Sequence, residues 1–247
     1  MARSDDPQTI PLALVTGGAS RLGKALAVTL ASRGYAVALT YFKSEAQAAV
    51  TADELRQYGQ PVYPIQVDLT APSEVKRLFH TLSGLPHPLK VLVNSAGIMP
   101  RSDIRTLSVD AWDATLALNL RAPFLCSQEA AHLMAGTGGS IINLSDAGLS
   151  RPWTSYPDYQ VSKSGLEMLT RLLARALAPD IRVNAIAPGL ILKNEAVEPE
   201  EWARLVDRLP VKRSGDPQEI GQALVFLIEN EYITGQTIVV DGGYQLT

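Results

Sequence analysis

The sequence contains little cysteine, little histidine and no excess of positive charge. Among its 247 residues there is one cysteine, Cys126, so neither an intrachain disulfide nor a cysteine-based metal cluster can form. The three histidines, His80, His87 and His132, are scattered along the chain, and we therefore expect no metal site. A formal net charge of −3 provides neither a basic surface for nucleic acid nor a polybasic anchor for a membrane.

Long apolar runs are absent as well. No run approaches the roughly 18 residues that a membrane-spanning helix needs, and the stretch MARSDDPQTI (1–10) has no apolar core of signal-peptide length. We therefore expect a cytoplasmic protein whose partners are neither nucleic acid nor membrane. With 46% hydrophobic and 19% charged residues, the chain can bury a substantial core, which indicates one α/β domain over residues 1–247.

Short apolar or β-branched runs alternate with longer amphipathic stretches along the chain. The runs cover residues 11–16, 35–41, 62–68, 89–94, 140–145, 181–187 and 237–243. Because they are continuously apolar, they are typical of strands that are buried on both faces. We predict helices from Ser20 to Gly34, over 156–178 and over 216–230, the last with Asp216 as its N-cap. The fold predicted is a doubly wound, seven-stranded parallel sheet with helices on both faces.

Ligands of such sheets bind beyond the carboxyl ends of the strands. The stretch TGGASRLG (16–23) lies there, and a glycine-rich turn that opens a helix presents backbone N–H groups to a diphosphate. Gly17 and Gly23 allow a tight turn and a close approach of the backbone to the diphosphate, while Arg21 occupies the position of the middle glycine. The cofactor contacts predicted in this loop are Gly17, Ser20, Arg21, Leu22 and Gly23.

The end of the second run indicates which nicotinamide cofactor fits. A preference for the 2′-hydroxyl form normally shows as an acidic residue about 20 residues after the loop. Here the sequence is LTYFKS, with Tyr41, Lys43 and Ser44 and no acid. Lys43 and Ser44 can gather with Arg21 around a 2′-phosphate, which favours NADPH.

The motif YQVSK places Tyr159 and Lys163 four residues apart in a predicted helix. Residues at this spacing share one helix face, so the ammonium group can lie near the phenol. A neighbouring positive charge lowers the pKa of a phenol from its usual value of about 10. The pair is therefore a candidate for proton transfer.

Together, TGGASRLG, NSAG (94–97), Asn119, YQVSK and APG (187–189) resemble the short-chain dehydrogenases/reductases over nearly the whole chain. The resemblance implies a Rossmann fold, hydride transfer from a nicotinamide and a homotetramer. It implies that Tyr159 donates a proton, that Lys163 binds the nicotinamide ribose and lowers the phenol pKa, and that Asn119 holds a relay water through its local backbone. Further implied cofactor positions are Asp68, Leu69, Asn94, Ala96, Gly97, Pro188, Gly189 and the backbone of Leu190 and Ile191.

One position departs from the family pattern. The residue 13 positions before Tyr159, where the family has a catalytic serine, is Asp146. Ser145 is adjacent, but neighbouring strand residues point to opposite faces. An ionised carboxylate would oppose a developing oxyanion, whereas a carboxylic acid with a raised pKa can deliver a proton to the nitrogen of a ring C=N bond.

The combination of Arg21 with Asp146 resembles the pteridine reductases and the dihydromonapterin and dihydrofolate reductases of the same family. That resemblance implies NADPH-dependent reduction of a dihydropterin or dihydrofolate, with Arg21 near both the phosphates and the pterin. Asp146 and Tyr159 would deliver the proton. Met99 stands close to where this subgroup has an aromatic residue that stacks on the pterin, and Trp153 or Trp202 is a possible substitute.

Two other functions stay open at this point. The missing aromatic residue favours a reductase of ketones or 3-oxoacyl thioesters, and a nicotinamide-binding sensor without chemistry is a third alternative.

The polar segment 190–217 is predicted to form a substrate-binding loop.

Overall fold

The computed structural model describes residues 9–193 and 197–247. Strands and helices alternate along the chain, as the apolar runs predict. The strands are β1 (Leu12–Val15), β2 (Ala36–Tyr41), β3 (Val62–Gln66), β4 (Leu89–Asn94), β5 (Gly139–Leu144), β6 (Ile181–Pro188) and β7 (Thr237–Val240). The helices are α1 (Arg21–Ser32), α2 (Glu45–Arg56), α3 (Pro72–Ser83), α4 (Val109–Leu116), α5 (Ala122–Met134), α6 (Pro157–Leu177), α7 (Pro199–Arg208) and α8 (Pro217–Glu229).

All seven strands pair in parallel, in the order β3-β2-β1-β4-β5-β6-β7. The predicted doubly wound parallel sheet is confirmed. The strand order reverses between β1 and β4, and the loops that follow these two strands diverge there. This divergence opens a crevice at the carboxyl edge of the sheet.

Both faces of the sheet are buried, and this explains why the strands are continuously apolar. Ala13 and Val15 of β1 point to the face covered by α1, α2 and α8. Leu12 and Leu14 point to the opposite face, which α3, α5 and α6 cover. Within the described ranges, no helix is long and apolar enough to cross a membrane, and no cluster of acidic, histidine or cysteine side chains could hold a metal ion.

Two stretches differ in detail from the expectation. The last strand ends at Val240 rather than at residue 243, because Gly242 and Gly243 turn the chain with φ values of 61° and 86°. The segment 190–217 contains the amphipathic helix α7, and its residues 194–196 lie outside the described residues.

Helix α8 begins with a capping box, which agrees with the N-cap predicted at Asp216. The Asp216 side chain accepts from the Gln218 N–H at 2.8 Å, and the Glu219 carboxylate accepts from the Asp216 N–H at 2.8 Å. Two backbone donors that the helix cannot satisfy internally are thereby bonded.

The variant Asp216→Ala is expected to lower the free energy of unfolding by about 1 kcal/mol, because one end of the capping box is lost. Urea denaturation measures this change. Gln222→Ala, at an exposed position of the same helix, is the control and is expected to change stability little. An unchanged urea midpoint in Asp216→Ala would show that the cap does not stabilise the protein.

Candidate active site

The turn between β1 and α1 has the close backbone packing that the glycines predict. Gly17 adopts a positive φ of 65° and donates its N–H to Thr40 Oγ1 at 3.0 Å. A Cβ atom at Gly23 would lie 2.3 Å from the Gly17 carbonyl oxygen, so a side chain cannot fit there. Arg21 has a φ of 50°, which is a conformation that favours glycine.

A cleft of about 870 Å³ lies at the carboxyl edge of the sheet, beside this turn. Most of the predicted cofactor and substrate residues line it. They are Gly17, Ser20, Arg21, Leu22, Gly23, Tyr41, Lys43, Asp68, Leu69, Ala96, Gly97, Met99, Asp146, Tyr159, Lys163, Pro188, Gly189 and Ile191.

Three predicted cofactor residues are not among the lining residues. The Asn94 side chain is buried in the protein interior, where its amide donates to Asn143 Oδ1 at 2.8 Å and to Ser127 Oγ at 3.2 Å. Ser44 is exposed at the start of α2, and the carbonyl of Leu190 accepts from the Gly215 N–H at 2.9 Å. The Asn94 side chain therefore points away from the cleft, because neighbouring polar side chains hold it inside, and a contact between Asn94 and the cofactor stays a prediction.

Asp146 faces the cleft and bonds to the tyrosine of YQVSK. The Tyr159 hydroxyl donates to Asp146 Oδ2 at 2.7 Å, and Asp146 Oδ1 accepts from the Gly148 N–H at 2.7 Å. The Ser145 hydroxyl instead donates to Glu167 at 2.7 Å. The carboxyl group of Asp146, and not the adjacent serine, therefore occupies the position beside the phenol.

Lys163 is buried one helical turn after Tyr159. Its Nζ donates to the carbonyl of Leu144 at 2.6 Å and lies 5.9 Å from the centre of the Tyr159 ring. Burial lowers the pKa of Lys163 to about 8, although the neighbouring Asp146 opposes this shift. The Lys163 ammonium group is therefore fixed in position by its hydrogen bond to Leu144, the last residue of β5.

Burial and mutual interaction shift the other two groups of the site. Burial raises the pKa of Asp146, against the hydrogen bonds from Tyr159 and Gly148. The pKa of Tyr159 lies well above 10, because burial and the adjacent Asp146 both disfavour a phenolate. In this structure burial and Asp146 set the direction of the shift, and a lowering of the phenol pKa by Lys163 stays a prediction.

Comparison with known proteins agrees with this geometry. The model of a family described as enoyl-(acyl carrier protein) reductase matches residues 17–245. A 3-oxoacyl-[acyl-carrier-protein] reductase, FabG, of Staphylococcus aureus is 34% identical over 94% of this chain and 96% of its own.

Solved structures are similar over the same length. FolM alternative dihydrofolate reductase 1 from Brucella canis, complexed with NADP, has a TM-score of 0.91 at 34% identity, covering 96% of this chain and 94% of its own. Its counterpart from Brucella suis, also with NADP, has a TM-score of 0.90 at 35% identity, covering 96% of both chains.

The chain belongs to the short-chain dehydrogenase/reductase family. It is therefore an NAD(P)-dependent oxidoreductase with a Rossmann fold.

Asn119 of this short-chain dehydrogenase/reductase lies in a π-helical turn, Ala117–Arg121, between α4 and α5. Its side chain is fully buried and accepts from the Ile98 N–H at 2.9 Å while donating to the Ile98 carbonyl at 2.8 Å. It also donates to Ser162 Oγ at 3.1 Å. Asn119 thus fixes the cleft wall that carries Ile98, and a relay water at its backbone stays a prediction.

Sequence reasoning missed several residues of the cleft in this reductase. Most follow directly after a predicted strand or flank a predicted site residue, so strand ends were the available signal. They include Thr40, Phe42, Val67, Thr70, Ser95, Ile98 and Leu192. Ala114 and Leu118 come from α4 and the π-helical turn, where no motif marks them.

One of these residues, Phe42, contacts a predicted cofactor residue: the Lys43 ammonium lies 5.3 Å from the Phe42 ring centre.

Neither Trp153 nor Trp202 is among the cleft-lining residues. Trp153 packs edge-on against Tyr156 and Tyr244, with ring centres 6.1 and 6.4 Å apart. Met99 therefore remains the large side chain at the position where the subgroup has an aromatic residue.

The variant Gly23→Ala is expected to weaken NADP(H) binding by at least about tenfold, roughly 1.4 kcal/mol, because the added Cβ displaces the Gly17 carbonyl. Titration of NADPH fluorescence measures the affinity. Gly84→Ala is the matched control, since its Cβ would meet only the Thr81 carbonyl at an ordinary 3.6 Å. Equal affinities in the two variants would contradict the role of this turn.

Proposed function

We propose that this enzyme reduces a dihydropterin or dihydrofolate with NADPH, and that Asp146 and Tyr159 deliver the proton to the ring nitrogen. The observation that carries the proposal is the 2.7 Å hydrogen bond between Tyr159 and the carboxyl group of Asp146 at the wall of the cleft. The similarity to FolM dihydrofolate reductases supports the choice of substrate class.

The residues of the cleft fit a dinucleotide. The close backbone approach at Gly17 and Gly23 leaves room for a diphosphate at the start of α1, since the first turn of a helix has backbone N–H groups without a partner inside the helix. At the other end, a Cβ at Gly189 would lie 2.7 Å from the Asp241 backbone, so the chain there is equally close-packed. When bound, NADPH supplies the hydride to the substrate.

The protein groups then handle the proton. Burial raises the pKa of Asp146 and so favours its neutral form, and a neutral carboxyl group can donate a proton where a carboxylate cannot. Tyr159 also stays protonated, because burial and Asp146 raise its pKa, and its hydroxyl group donates to Asp146 at the cleft wall. In this proposal Lys163, which donates to the Leu144 carbonyl, binds the nicotinamide ribose.

Arg21 and Met99 are the proposed substrate contacts beyond the proton donors. The Arg21 guanidinium is exposed at the cleft and bonds to the carbonyls of Leu192 and Lys193 at 3.4 and 3.0 Å. It therefore reaches from the diphosphate turn to the segment after β6, which we propose forms part of the substrate-binding loop 190–217. Met99 can cover a planar ring by sulfur contact.

Purified enzyme is expected to oxidise NADPH when given dihydrobiopterin, dihydromonapterin or dihydrofolate. Asp146→Ala is expected to lower kcat by about 10²-fold or more, the usual contribution of general acid catalysis, while NADPH affinity stays near that of the wild type. Absorbance at 340 nm measures turnover, and fluorescence titration measures affinity. Absence of turnover with all three compounds, together with rapid reduction of ketones, would disprove the proposal.

A carbonyl reductase is the second candidate, and Met99 in place of an aromatic platform favours it, as does the similarity to FabG. The variant Asp146→Ser separates the two functions, because it replaces the acid by the family's usual hydroxyl donor. A ketone or 3-oxoacyl reductase would be improved or unchanged by it. A pterin reductase would lose activity.

We also propose that NADPH is preferred over NADH. Lys43 lines the cleft after β2, and Thr40 and Tyr41 stand where an acid would repel a 2′-phosphate.

The family resemblance further supports a homotetramer. Met168 and Leu172, one turn apart on α6, are large exposed apolar side chains available for such a contact.

The variant Lys43→Glu is expected to weaken NADPH binding by about tenfold or more, since it brings an acid to the 2′-phosphate, and to leave NADH binding nearly unchanged. The ratio of the two dissociation constants is the readout. Lys76→Glu, on an exposed position of α3, introduces the same charge change elsewhere. An unchanged ratio in Lys43→Glu would remove Lys43 from phosphate recognition.

A further inference from the structure

Gln160 directly follows Tyr159 on α6 and bonds to three backbone atoms of one neighbouring segment. Its Nε2 donates to the carbonyls of Arg151 at 2.6 Å and Gly148 at 3.2 Å. Its Oε1 accepts from the Trp153 N–H at 2.7 Å. The motif YQVSK gives roles to its tyrosine and lysine, whereas nothing in the motif explains a glutamine with every polar atom of its side chain engaged.

These backbone atoms belong to the segment that carries Asp146. Gly148 is bonded on both sides, because its N–H donates to Asp146 Oδ1 at 2.7 Å while its carbonyl accepts from Gln160. The Trp153 ring packs so closely on Gly148 that a Cβ there would lie 1.9 Å from the ring. Residues 148–153 thus form a folded unit, and Gln160 fastens it to α6.

Helix α6 is 21 residues long, and Tyr159 and Gln160 are adjacent in its first turn. A group held by Gln160 therefore keeps its distance from Tyr159, because both side chains move with one rigid helix. Two short hydrogen bonds join this first turn of α6 to residues 146–151: Tyr159 donates to Asp146, and Gln160 donates to the Arg151 carbonyl.

We propose that Gln160 is a positioning residue, which holds residues 148–153 on α6 and so keeps the Asp146 carboxyl group within hydrogen-bond distance of Tyr159. The inference rests on the proposed role of Asp146 in proton delivery. Glutamine suits the task because one amide supplies both donor and acceptor. A glutamate would set carboxylate oxygens against two carbonyl oxygens, and methionine would keep the volume without any of the three bonds.

The first test needs no substrate. Hydrogen–deuterium exchange of peptides spanning residues 145–153 is compared in wild type, Gln160→Met and Gln160→Glu. Exchange at the Gly148 and Trp153 amides is expected to be several-fold faster in both variants. Gln57→Glu, an exposed position at the end of α2, is the control and is expected to match the wild type. Unchanged exchange in Gln160→Met would overturn the proposal.

The second test is a double-mutant cycle on kcat with Asp146→Ala, using whichever substrate the wild type reduces. Gln160→Met alone is expected to lower kcat at least tenfold with unchanged NADPH affinity, and less than twofold when Asp146 is already alanine. Equal losses in the two backgrounds would show that Gln160 does not act through Asp146.

The proposed function can fail separately from this inference. Turnover of ketones only would disprove the pterin assignment, and the cycle would then be measured on the ketone. An unchanged kcat in Asp146→Ala alone would overturn the role of Asp146 and with it the catalytic part of the inference. The exchange measurement would still decide whether Gln160 holds the segment.

Discussion

The parallel alignment of β1, β4 and β5 is the constraint on which the site depends. Because their carboxyl ends meet at one edge, the glycine turn, the Ala96–Met99 wall and Asp146 face the same cleft. The alternation of side chains at the end of β5 then separates Ser145 from Asp146, so that one contacts Glu167 and the other Tyr159. A slip of one residue would exchange a carboxyl group for a hydroxyl at the reacting centre.

The charge states of Asp146 and Lys163 bear on whether the site suits the reduction of a C=N bond or of a ketone. Removal from water favours the neutral forms of both Asp146 and Lys163, whose pKa is lowered to about 8. The charges of Asp146 and Lys163 are coupled, because each charge favours the ionised form of the other group. A neutral carboxyl group can give a proton to a ring nitrogen, whereas an ionised one would repel the oxyanion of a reacting ketone. Under the proposed function, a carboxyl group at this position therefore suits the protonation of a C=N bond better than the family's serine would.

Much of the fold was predictable from the sequence, because burial on both faces leaves continuous apolar runs that mark each strand. The glycine turn, the cleft-facing Asp146 and Tyr159, and the N-cap at Asp216 followed from local spacing and from the order of strands. The direction of the Asn94 side chain did not follow, since it depends on Asn143 and Ser127 from other elements.

The missed features share a physical origin in contacts between distant segments. The raised pKa of Tyr159 depends on how deeply the phenol and Asp146 are buried together, which no motif records. The three bonds of Gln160 depend on how residues 148–153 fold back onto α6. Spacing within YQVSK identifies the reacting groups, but it does not show what holds them in place.

Arg21 shows how one residue can carry a structural cost and a chemical benefit at once. Its left-handed backbone costs about 1–2 kcal/mol relative to glycine, which adopts such a conformation without strain. The guanidinium offsets part of that cost by bonding to the carbonyls of Leu192 and Lys193 across the cleft. A glycine would relieve the strain, yet it would leave the segment after β6 without these two hydrogen bonds and would remove one of the cations that line the cleft. The arginine therefore links the glycine turn to the segment after β6, the two parts of the chain that the proposed function assigns to the cofactor and to the substrate.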